Sequence, residues 1–466
     1  MEVRSGTTVC AKSATERRVS TCVSFATSRD LSGWPTLQQL TDGRWTVAKT
    51  PARDEVLYLR AAGVDVGKRF VMACVRTPDP RRAGRWQLET ERFDTTTAAI
   101  RDLRDWLAER TVEVIALEAT SDYWRAVYYP LQDAGLNLML VNPAHLRGVK
   151  GRKTDPSDAA FLARAAASGM VLASFVPDRA IRELRELTRR RAEVRADRGR
   201  EIQRLEKELE DSGLKLTSVL SDVTGVSSRR ILTALIEGEH DPALLADLAV
   251  SGARAKIGAL TEALEGTFTD HHAFMCRHFL DQIDHLAGLV AQLDERIAAL
   301  LADRDQDLTN LDSIPGIGRT GAEIIISETG GDMAPFATAG HLASWIGVCP
   351  GMNESAGVNK SGHTRHGNAH LKRVLGTAAM AAVRQKDSYY GVYYRRVAAR
   401  RGRQRALVAV MHKLVIAIWH VLHDNIAHQD LGADYFTRRN PQRTMRQIVR
   451  QANAIGLTVR FDPIQT

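Results

Sequence analysis

Two aspartates three residues apart, Asp155 and Asp158, lie where a loop turns into a predicted helix. On a helix this spacing puts both carboxylates on one face, about one turn apart, where they can bind a divalent cation. The same residues are also typical of an ordinary helix start, with Asp155 as N-cap, Pro156 in the first helical position and Asp158 as a first-turn acid. Taken alone, the stretch favours the cap over the metal site.

Two further carboxylates end predicted strands. Asp65 comes at the end of the first β-rich run, just before a tight turn at Gly67-Lys68, and Glu118 ends a run of mostly apolar residues. An aspartate before a turn is usually a turn residue. An acid at the end of an apolar strand is less easily explained by local structure, so the fold must decide whether the two act together.

The first part of the chain has the pattern of an α/β domain. It predicts strands at 58–66, 69–77 and 86–93, a helix at 95–110, a strand at 112–117, a helix at 121–134 and a strand at 136–141. This is the order of the ribonuclease-H-like fold, in which the first and fourth strands are neighbours. Asp65 and Glu118 are then side by side, and a helix starting near Lys153 brings Asp155 and Asp158 to them. Four converging carboxylates need a cation, and oxygen ligands select Mg2+ or Mn2+.

The composition is that of a largely folded, basic protein. Its 466 residues leave room for two or three domains, and a formal charge of +9 points to a polyanionic partner, with nucleic acid as the leading candidate. Five scattered cysteines favour free thiols in a reducing cytoplasm. The most apolar run, 406–422, contains His412, Lys413 and His420, so we expect a buried helix and no membrane segment.

Changes of pattern divide the chain into five predicted parts. They are a poorly ordered extension at 1–54, the α/β domain at 55–178, a helical coiled-coil region at 179–308, a mainly helical C-terminal domain at 309–430 and a tail at 431–466. From Ile283 to Leu300, apolar residues alternate at steps of three and four, as in a coiled-coil seam. The seam fits either a dimerisation arm or an intramolecular hairpin.

Two features of the C-terminal region predict nucleic-acid binding. The stretch 311–320 is typical of a helix-hairpin-helix element, whose glycine loop exposes amides that bind phosphate, although it also fits a plain helix connection. Tyrosines at 389, 390, 393 and 394 interleave with arginines, as in a surface that follows phosphates and stacks on bases. The predicted nucleic-acid contacts of the whole chain are Arg152, Lys153, Gly316, Gly318, Arg365, Lys372, Arg373, Arg395 and Arg396.

Three histidines, His363, His366 and His370, are of a type that binds zinc, and the last two have helical spacing. Neither a cysteine nor a fourth ligand accompanies them in the sequence. We therefore expect them to contact phosphate or RNA rather than zinc.

Taken together, the motifs resemble the insertion sequence 110 family of transposases over residues 58–426. Asp65, Glu118, Asp155 and Asp158, in the contexts Gly-Val-Asp-Val-Gly-Lys, Leu-Glu-Ala-Thr and Lys-Thr-Asp-Pro-Ser-Asp-Ala, are similar to its DEDD set. The later part resembles its C-terminal transposase domain in Ser313-Ile314-Pro315-Gly316-Ile317-Gly318, Trp345-Ile346-Gly347-Val348-Cys349-Pro350, Glu354-Ser355-Ala356-Gly357 and Gly367-Asn368.

The resemblance implies a RuvC-like domain joined by a coiled coil to a domain with a nucleophilic serine. Members of the family are recombinases whose donor and target DNA are specified by a structured bridge RNA. By position the nucleophile is Ser355, which would hold the cut strand as a phosphoserine ester. Ala356 departs from the Glu-Ser-Gly pattern and leaves Ser361 as a rival, and Ser121 replaces the usual glycine after Thr120. We expect a homodimer or homotetramer in the bacterial cytoplasm, associated with the nucleoid.

Three other interpretations stay open on the residues alone. The segment 63–68 also resembles the first phosphate hairpin of sugar kinases and actin-like ATPases, although no second hairpin of that kind follows Ile181. A metal-dependent junction resolvase would hydrolyse DNA with water and would need no serine. A catalytically silent nucleic-acid-binding relative would be expected to lack one of the acids, and all four are present.

Overall fold

The computed structural model describes residues 56–119, 121–142, 155–351 and 362–462, and the backbone of four short strands outside these ranges. Of the predicted site residues, Arg152, Lys153 and Ser361 lie outside the described residues, as do the side chains of Asp155 and Ser355. The region 1–54 is described at the strands β1 (Leu37–Gln39) and β2 (Trp45–Val47), which pair antiparallel. The chain forms two compact units, Met1–Ser174 and Phe175–Thr466.

Unit 1 is built on a five-stranded sheet in the order β5-β4-β3-β6-β7. Its strands are β3 (Ala61–Val66), β4 (Phe70–Pro78), β5 (Trp86–Asp94), β6 (Val114–Glu118) and β7 (Leu138–Val141). The first three form an antiparallel meander, whereas β6 pairs in parallel with both β3 and β7. Two helices connect the strands, α1 (Thr97–Glu109) before β6 and α2 (Trp124–Asp133) before β7. The mixed α/β sheet predicted from the sequence is confirmed, with the first and fourth strands as neighbours.

Helix α3 (Asp155–Ala167) covers one face of this sheet, where it packs on β3, β4 and β6. Its Leu162 shares a core with Val114 and Ala116 of β6. The approach to β3 is close because Gly63 has no side chain, and a Cβ there would lie 2.1 Å from the carbonyl oxygen of Ala159. Small residues on both elements therefore let the helix backbone rest directly on the strand.

Unit 2 begins with an antiparallel helical hairpin, which we call the arm, formed by α4 (Arg179–Asp211) and α9 (Asp270–Leu300). Leu184 near the start of α4 shares a core with Ile297 near the end of α9. At the other end of the arm, Ile283 is buried in a second core. The predicted seam thus packs against α4 of the same chain, which is the hairpin alternative, and dimerisation through the arm stays a prediction.

The far end of the arm carries a cap of short helices. They are α5 (Leu216–Val219), α6 (Val226–Ile236), α7 (Pro242–Asp247), the 3-10 helix Ser251–Lys256 and α8 (Ile257–Ala263). This cap has its own hydrophobic core, which includes the ends of both arm helices. The stretch between the two arm helices therefore consists of several short helices.

The near end of the arm joins a bundle of helices. They are the 3-10 helix Ala302–Arg304, α10 (Asp305–Asp312), α11 (Arg319–Thr329), α12 (Ala339–Ile346), α13 (Ala369–Ala382), α14 (Tyr389–Arg401), α15 (Arg403–Asp424), α16 (Tyr435–Arg439) and α17 (Pro441–Ala454). Two short strands, β8 (Glu354–Ser355) and β9 (Val358–Asn359), lie between α12 and α13 in the chain. One core includes residues of the arm and of this bundle, so the two are parts of one unit.

Helix α15 is long and apolar enough, by length and composition alone, to cross a membrane. Within unit 2 it instead packs against α10, α12, α13 and α14. Val410, Leu414 and Ile418 are buried in the shared core. The prediction of a buried helix over 406–422 is confirmed for this face of α15.

Candidate functional site

The candidate catalytic carboxylates lie at the carboxyl edge of two parallel strands. Val64 of β3 pairs with Leu117 of β6, so the residues that follow them, Asp65 and Glu118, are neighbours at the edge. Side chains alternate between the two faces of a strand, so Asp65 points to the same face as Gly63, which α3 covers. Ala116, two positions before Glu118, belongs to the core under α3. Glu118 therefore points to that face as well. Both acids are half-buried.

Helix α3 begins beside the same edge. Its last residue accepts hydrogen bonds from the segment that leads into β3, whereas Ala159, near its start, contacts Gly63. The helix therefore runs antiparallel to β3, with its first turn toward Asp65. Asp155 is the first residue of that turn and Asp158 the fourth, with a half-buried side chain. The three elements that carry the four acids thus meet at one edge of the sheet.

This donor set fits a hard divalent cation, because carboxylate oxygens are the ligands that Mg2+ and Mn2+ prefer. Among the residues that the structure describes, no group of three or more His, Cys, Asp or Glu side chains is placed to hold a metal ion, so Asp65, Glu118 and Asp158 do not by themselves form such a group here. The side chain of Asp155, the remaining member of the set, lies outside those residues. In the described part of the chain, His363, His366 and His370 likewise do not form a group that could hold zinc.

The predicted nucleophile belongs to a segment of unit 2, residues 350–368, which we call the serine segment. Ser355 is in β8, which pairs antiparallel with β9. Near the two ends of the segment, the amide of Gly351 donates a hydrogen bond to the carbonyl of His363 at 2.8 Å. Gly367 has a φ of +57°, and a Cβ there would lie 2.1 Å from the carbonyl oxygen of Ile346. The two ends of the segment are therefore held together at the end of α12.

A buried carboxylate links the end of the serine segment to the arm. Glu328 of α11 has a fully buried side chain and accepts two hydrogen bonds from Arg189 of α4, at 2.7 and 2.9 Å. It also accepts one from the side-chain amide of Asn368, at 2.7 Å. The oxygen of that amide caps α13 by accepting from the amide of Leu371 at 3.0 Å. Arg185 supplies a second cation, its Nε 3.4 Å from the carboxylate.

The environment of Glu328 keeps it ionised. Burial raises the pKa of this carboxyl, but hydrogen bonds from Arg189 and Asn368 and the charges of the arginines outweigh burial, so its pKa lies below the ordinary value. Sequence reasoning missed this residue. One signal was available: an acid in the last turn of a helix opposes the helix dipole and so calls for a cationic partner.

The stretch predicted as a helix-hairpin-helix element contains the end of α10, a glycine loop and the start of α11, an arrangement that also fits a plain helix connection. Gly316 has a φ of +85°, and a Cβ there would lie 2.3 Å from the carbonyl oxygen of Ala378 in α13. This glycine therefore has a packing role. Gly318 is exposed at the N-cap position of α11. Phosphate binding by the loop stays a prediction.

The predicted cationic contacts in unit 2 lie at the surface. Arg365, Arg373, Arg395 and Arg396 are exposed. Lys372 is half-buried, and its ammonium group donates to the carbonyl of Arg365. Burial lowers the pKa of this lysine. Lys372 is thus hydrogen-bonded to the serine segment of its own chain. The four arginines have exposed side chains that a partner can reach.

The prediction that Tyr389 and Tyr390 belong to a base-stacking surface is wrong. Their side chains are only 9% and 2% exposed. Tyr389 stacks on Phe436 of α16, with ring centroids 5.3 Å apart, and burial raises its pKa to about 12. The guanidinium group of Arg396 lies 4.7 Å from the same Phe436 ring. The tyrosines are covered because a helix distant in sequence packs over them, which their local pattern does not show.

Two family models match this chain. One, a model of DEDD transposases of the IS110 type described as "Transposase", matches residues 62–213. The other, described as "Transposase IS116/IS110/IS902 family", matches residues 308–395. The first match contains the four acids at the sheet edge, and the second contains the glycine loop, Glu328 and the serine segment.

Curated relatives match over most of the chain. The "Insertion element IS900 uncharacterized 42 kDa protein" of Mycobacterium paratuberculosis is 25% identical, over 79% of this chain and 96% of its own. The "Transposase for insertion sequence element IS1111A" of Coxiella burnetii is 23% identical, over 78% of this chain and 90% of its own. A shorter match, 31% identical over 26% of this chain and 29% of the relative, is to the "Insertion element IS110 uncharacterized 43.6 kDa protein" of Streptomyces coelicolor.

The chain has an α/β unit with acids at one sheet edge, followed by a helical unit that contains the second matched region. These features place the protein in the class of DNA transposases. Both models and the relatives agree on the group within that class. The chain belongs to the IS110 family of insertion-sequence transposases. It is therefore an enzyme whose substrate is DNA.

Proposed function

We propose that this transposase cleaves and exchanges the DNA strands of its insertion sequence with four metal-binding carboxylates and a serine nucleophile. The carboxylates are Asp65, Glu118, Asp155 and Asp158. The observation that supports this most directly is the meeting of β3, β6 and the first turn of α3 at one edge. The strand order is also that of a ribonuclease-H-like fold of the RuvC type, to which we assign unit 1.

The four acids serve to bind a divalent cation. Mg2+ or Mn2+ held there would supply positive charge that stabilises the phosphate during strand transfer. Asp155 and Asp158 share one helix face, so each can contribute an oxygen from the same direction. Asp65 and Glu118 contribute from the neighbouring strands.

Ser355 is the proposed nucleophile. Its hydroxyl oxygen attacks a DNA phosphorus and loses its proton, while the bond from phosphorus to a deoxyribose oxygen breaks and that oxygen leaves as a hydroxyl. The strand is then held as a phosphoserine ester, which keeps the bond energy available for rejoining. Glu354 and Ala356 flank the serine in the chain, and Ser361 is the alternative position.

The remaining contacts are proposed to be with nucleic acid. Donor and target DNA are selected by a structured guide RNA, and the protein acts as a homodimer or homotetramer at the nucleoid in the cytoplasm. The proposed contacts are Arg152, Lys153, Gly316, Gly318, Arg365, Lys372, Arg373, Arg395 and Arg396. The exposure of the arginines of unit 2 supports such contacts.

Trapping the covalent complex on radiolabelled element DNA tests the proposal. With the guide RNA and Mg2+ present, wild-type protein should give a protein–DNA adduct whose labelled peptide contains Ser355. Ser355→Ala should give no adduct, whereas Ser361→Ala should give the wild-type amount. An adduct that survives Ser355→Ala and is lost in Ser361→Ala would move the nucleophile.

The acids are tested in the same assay. Asp65→Asn, Glu118→Gln, Asp155→Asn and Asp158→Asn should each abolish the adduct, with the affinity for DNA and RNA largely unchanged, because the amides keep the size but not the charge of the ligands. Strand exchange retained in any of the four would remove that residue from the metal set. Cleavage that continues in Ser355→Ala without any adduct would favour hydrolysis by water, as in a junction resolvase.

A further inference from the structure

The C-terminal helix α17 lies beyond both family matches and is strongly segregated by residue type. Arg443, Arg446 and Arg450 are exposed, and their spacing of three and seven residues puts them within about 60° of one another around the helix axis. Met445 and Ala452 lie on the opposite side and are half-buried and 9% exposed, respectively. The helix therefore partly buries its apolar side, on which Ile448 is still 40% exposed, and presents its arginines to solvent.

The arginine face has no counter-charge of its own. From Tyr435 to Phe461 the chain contains six arginines and neither aspartate nor glutamate. The nearest acids are already used, because Asp434 pairs with Arg438 and Asp462 with Arg460, each at 3.3 Å. Within the described part of the chain, no ion pair is found for the three arginines of α17.

The arm shows what an ordinary solvated helix of this chain looks like. In α4, exposed arginines have acidic partners one turn away, among them Arg179 with Glu183 at 3.0 Å and Arg190 with Glu193 at 3.3 Å. Such pairs support a helix, whereas like charges one turn apart weaken it by some tenths of a kcal/mol. A face of unneutralised arginines is therefore better explained by an external anion than by helix stability.

We propose that the arginine face of α17 binds the phosphate backbone of double-stranded DNA, in addition to the contacts made by the proposed catalytic residues. Seven residues of helix span about 10 Å, and successive phosphates of one strand are about 3.4 Å apart along the duplex axis, so three arginines match about three phosphates. Guanidinium groups suit phosphate because they can donate two parallel hydrogen bonds. Gln442, Gln447 and Gln451 lie beside these arginines and add neutral donors.

DNA is the occupant that the structure favours. A membrane surface would need the whole apolar side of the helix, and here Met445 is half-buried and Ala452 only 9% exposed, with Ile448 at 40%. The family membership provides a DNA substrate, and phosphate contacts of this kind carry no sequence preference, so they suit an element that holds DNA of any sequence. The inference depends on family membership and not on which serine is the nucleophile.

The test is the salt dependence of DNA binding by the full chain. Fluorescence anisotropy with two unrelated duplexes, in a chelator so that nothing is cut, would compare wild type with Arg443→Gln/Arg446→Gln/Arg450→Gln. Each lost phosphate contact lowers the log–log salt slope by about 0.9, so the triple variant should lose about 2.7. Its loss of affinity between 50 and 200 mM salt should then be about 40-fold smaller than that of wild type, for both duplexes alike.

Two control variants make the result specific. Arg179→Gln/Arg190→Gln/Arg204→Gln removes the same charge from paired positions of α4 and should leave the slope unchanged. Replacing the three α17 arginines with lysine should restore the slope, because it depends on charge. Equal slopes in wild type and the α17 glutamine variant, or an equal loss in the α4 control, would overturn the proposal. So would a loss seen with duplex RNA or anionic vesicles but not with DNA.

Discussion

Glu328 is the side chain whose importance is least visible in its local sequence. Its charge is held in the interior by Arg189 and Arg185 of the arm and by Asn368 at the end of the serine segment. One residue thereby ties three separate parts of unit 2 together. Removing one member of a buried pair leaves the other charge without compensation, which is costly.

We predict that Glu328→Gln lowers the free energy of unfolding at pH 7 by about 3 kcal/mol. The pKa of Glu328 is lowered in the folded state, so its stabilisation is complete above the ordinary value of 4.5 and is lost as the pH falls through the folded pKa. The difference between wild type and variant should therefore shrink at pH values well below 4.5. Urea unfolding at pH 7, 5 and 3 measures it.

A matched control for this prediction is Glu183→Gln. Glu183 also pairs with an arginine of α4, but in a solvent-exposed position. Exposed pairs contribute less than about 1 kcal/mol, so this variant should unfold nearly as wild type does. A difference between Glu328→Gln and wild type that stays constant from pH 7 to pH 3 would contradict the assigned charge state.

At the scale of elements, the contact between α3 and β3 positions the candidate catalytic edge. Because Gly63 has no side chain, backbone atoms of Ala159 and Ala163 and the Cβ of Leu162 approach the strand directly. This close packing fixes where the first turn of α3 begins relative to Asp65. The helix begins at Asp155 itself, so the predicted N-cap position of Asp155 is wrong by one residue, and Asp155 and Asp158 both lie in the first turn at the edge.

We predict that Gly63→Ala lowers the free energy of unfolding of unit 1 by about 3 kcal/mol. The added methyl group would lie 2.1 Å from a carbonyl oxygen of α3 and 2.4 Å from an amide nitrogen, and backbone atoms cannot move aside as a flexible side chain can. Gly199→Ala is the opposite control. It lies inside α4 with no atom near its Cβ position and should stabilise by about 0.5 to 1 kcal/mol. Denaturation of both variants, followed by tryptophan fluorescence, decides the sign; equal effects would rule out the packing argument.

At the scale of the whole molecule, the chain is two compact units with separate cores. The first is an α/β sheet with α3 on one face, and the second is an arm with a helical bundle at one end and a cap at the other. The candidate carboxylates belong to the first unit and the proposed nucleophile to the second.

We predict that the two units unfold as separate cooperative transitions. The variant Trp345→Phe/Trp419→Phe keeps tryptophans only in unit 1, so its fluorescence reports that unit, whereas helical ellipticity at 222 nm reports mainly unit 2. Urea midpoints from the two signals should differ, because each unit has its own core. Coincident midpoints for both signals would show that the units unfold as one.

Much of the fold was predictable because its signals are local. The strands and helices of unit 1 follow from hydrophobic periodicity and turn residues, and the order of the strands limits the sheet to few topologies. The four acids were found because each lies next to a strand end or a helix start. The seam of α9 was found for the same reason, although periodicity alone does not say which helix it packs against.

The sequence by itself determined the element order, the candidate acids, the serine motif and, through its resemblance, the family. Only the tertiary structure decided which residues meet: that Glu328 joins Arg189 and Asn368, and that α9 pairs with α4 of its own chain. It also decided that Tyr389 is covered by α16. The physical reason is that periodicity and capping act within a few residues, whereas burial and ion pairing depend on groups far apart in the chain, which are 40 positions apart for Glu328 and Asn368 and 139 for Arg189 and Glu328.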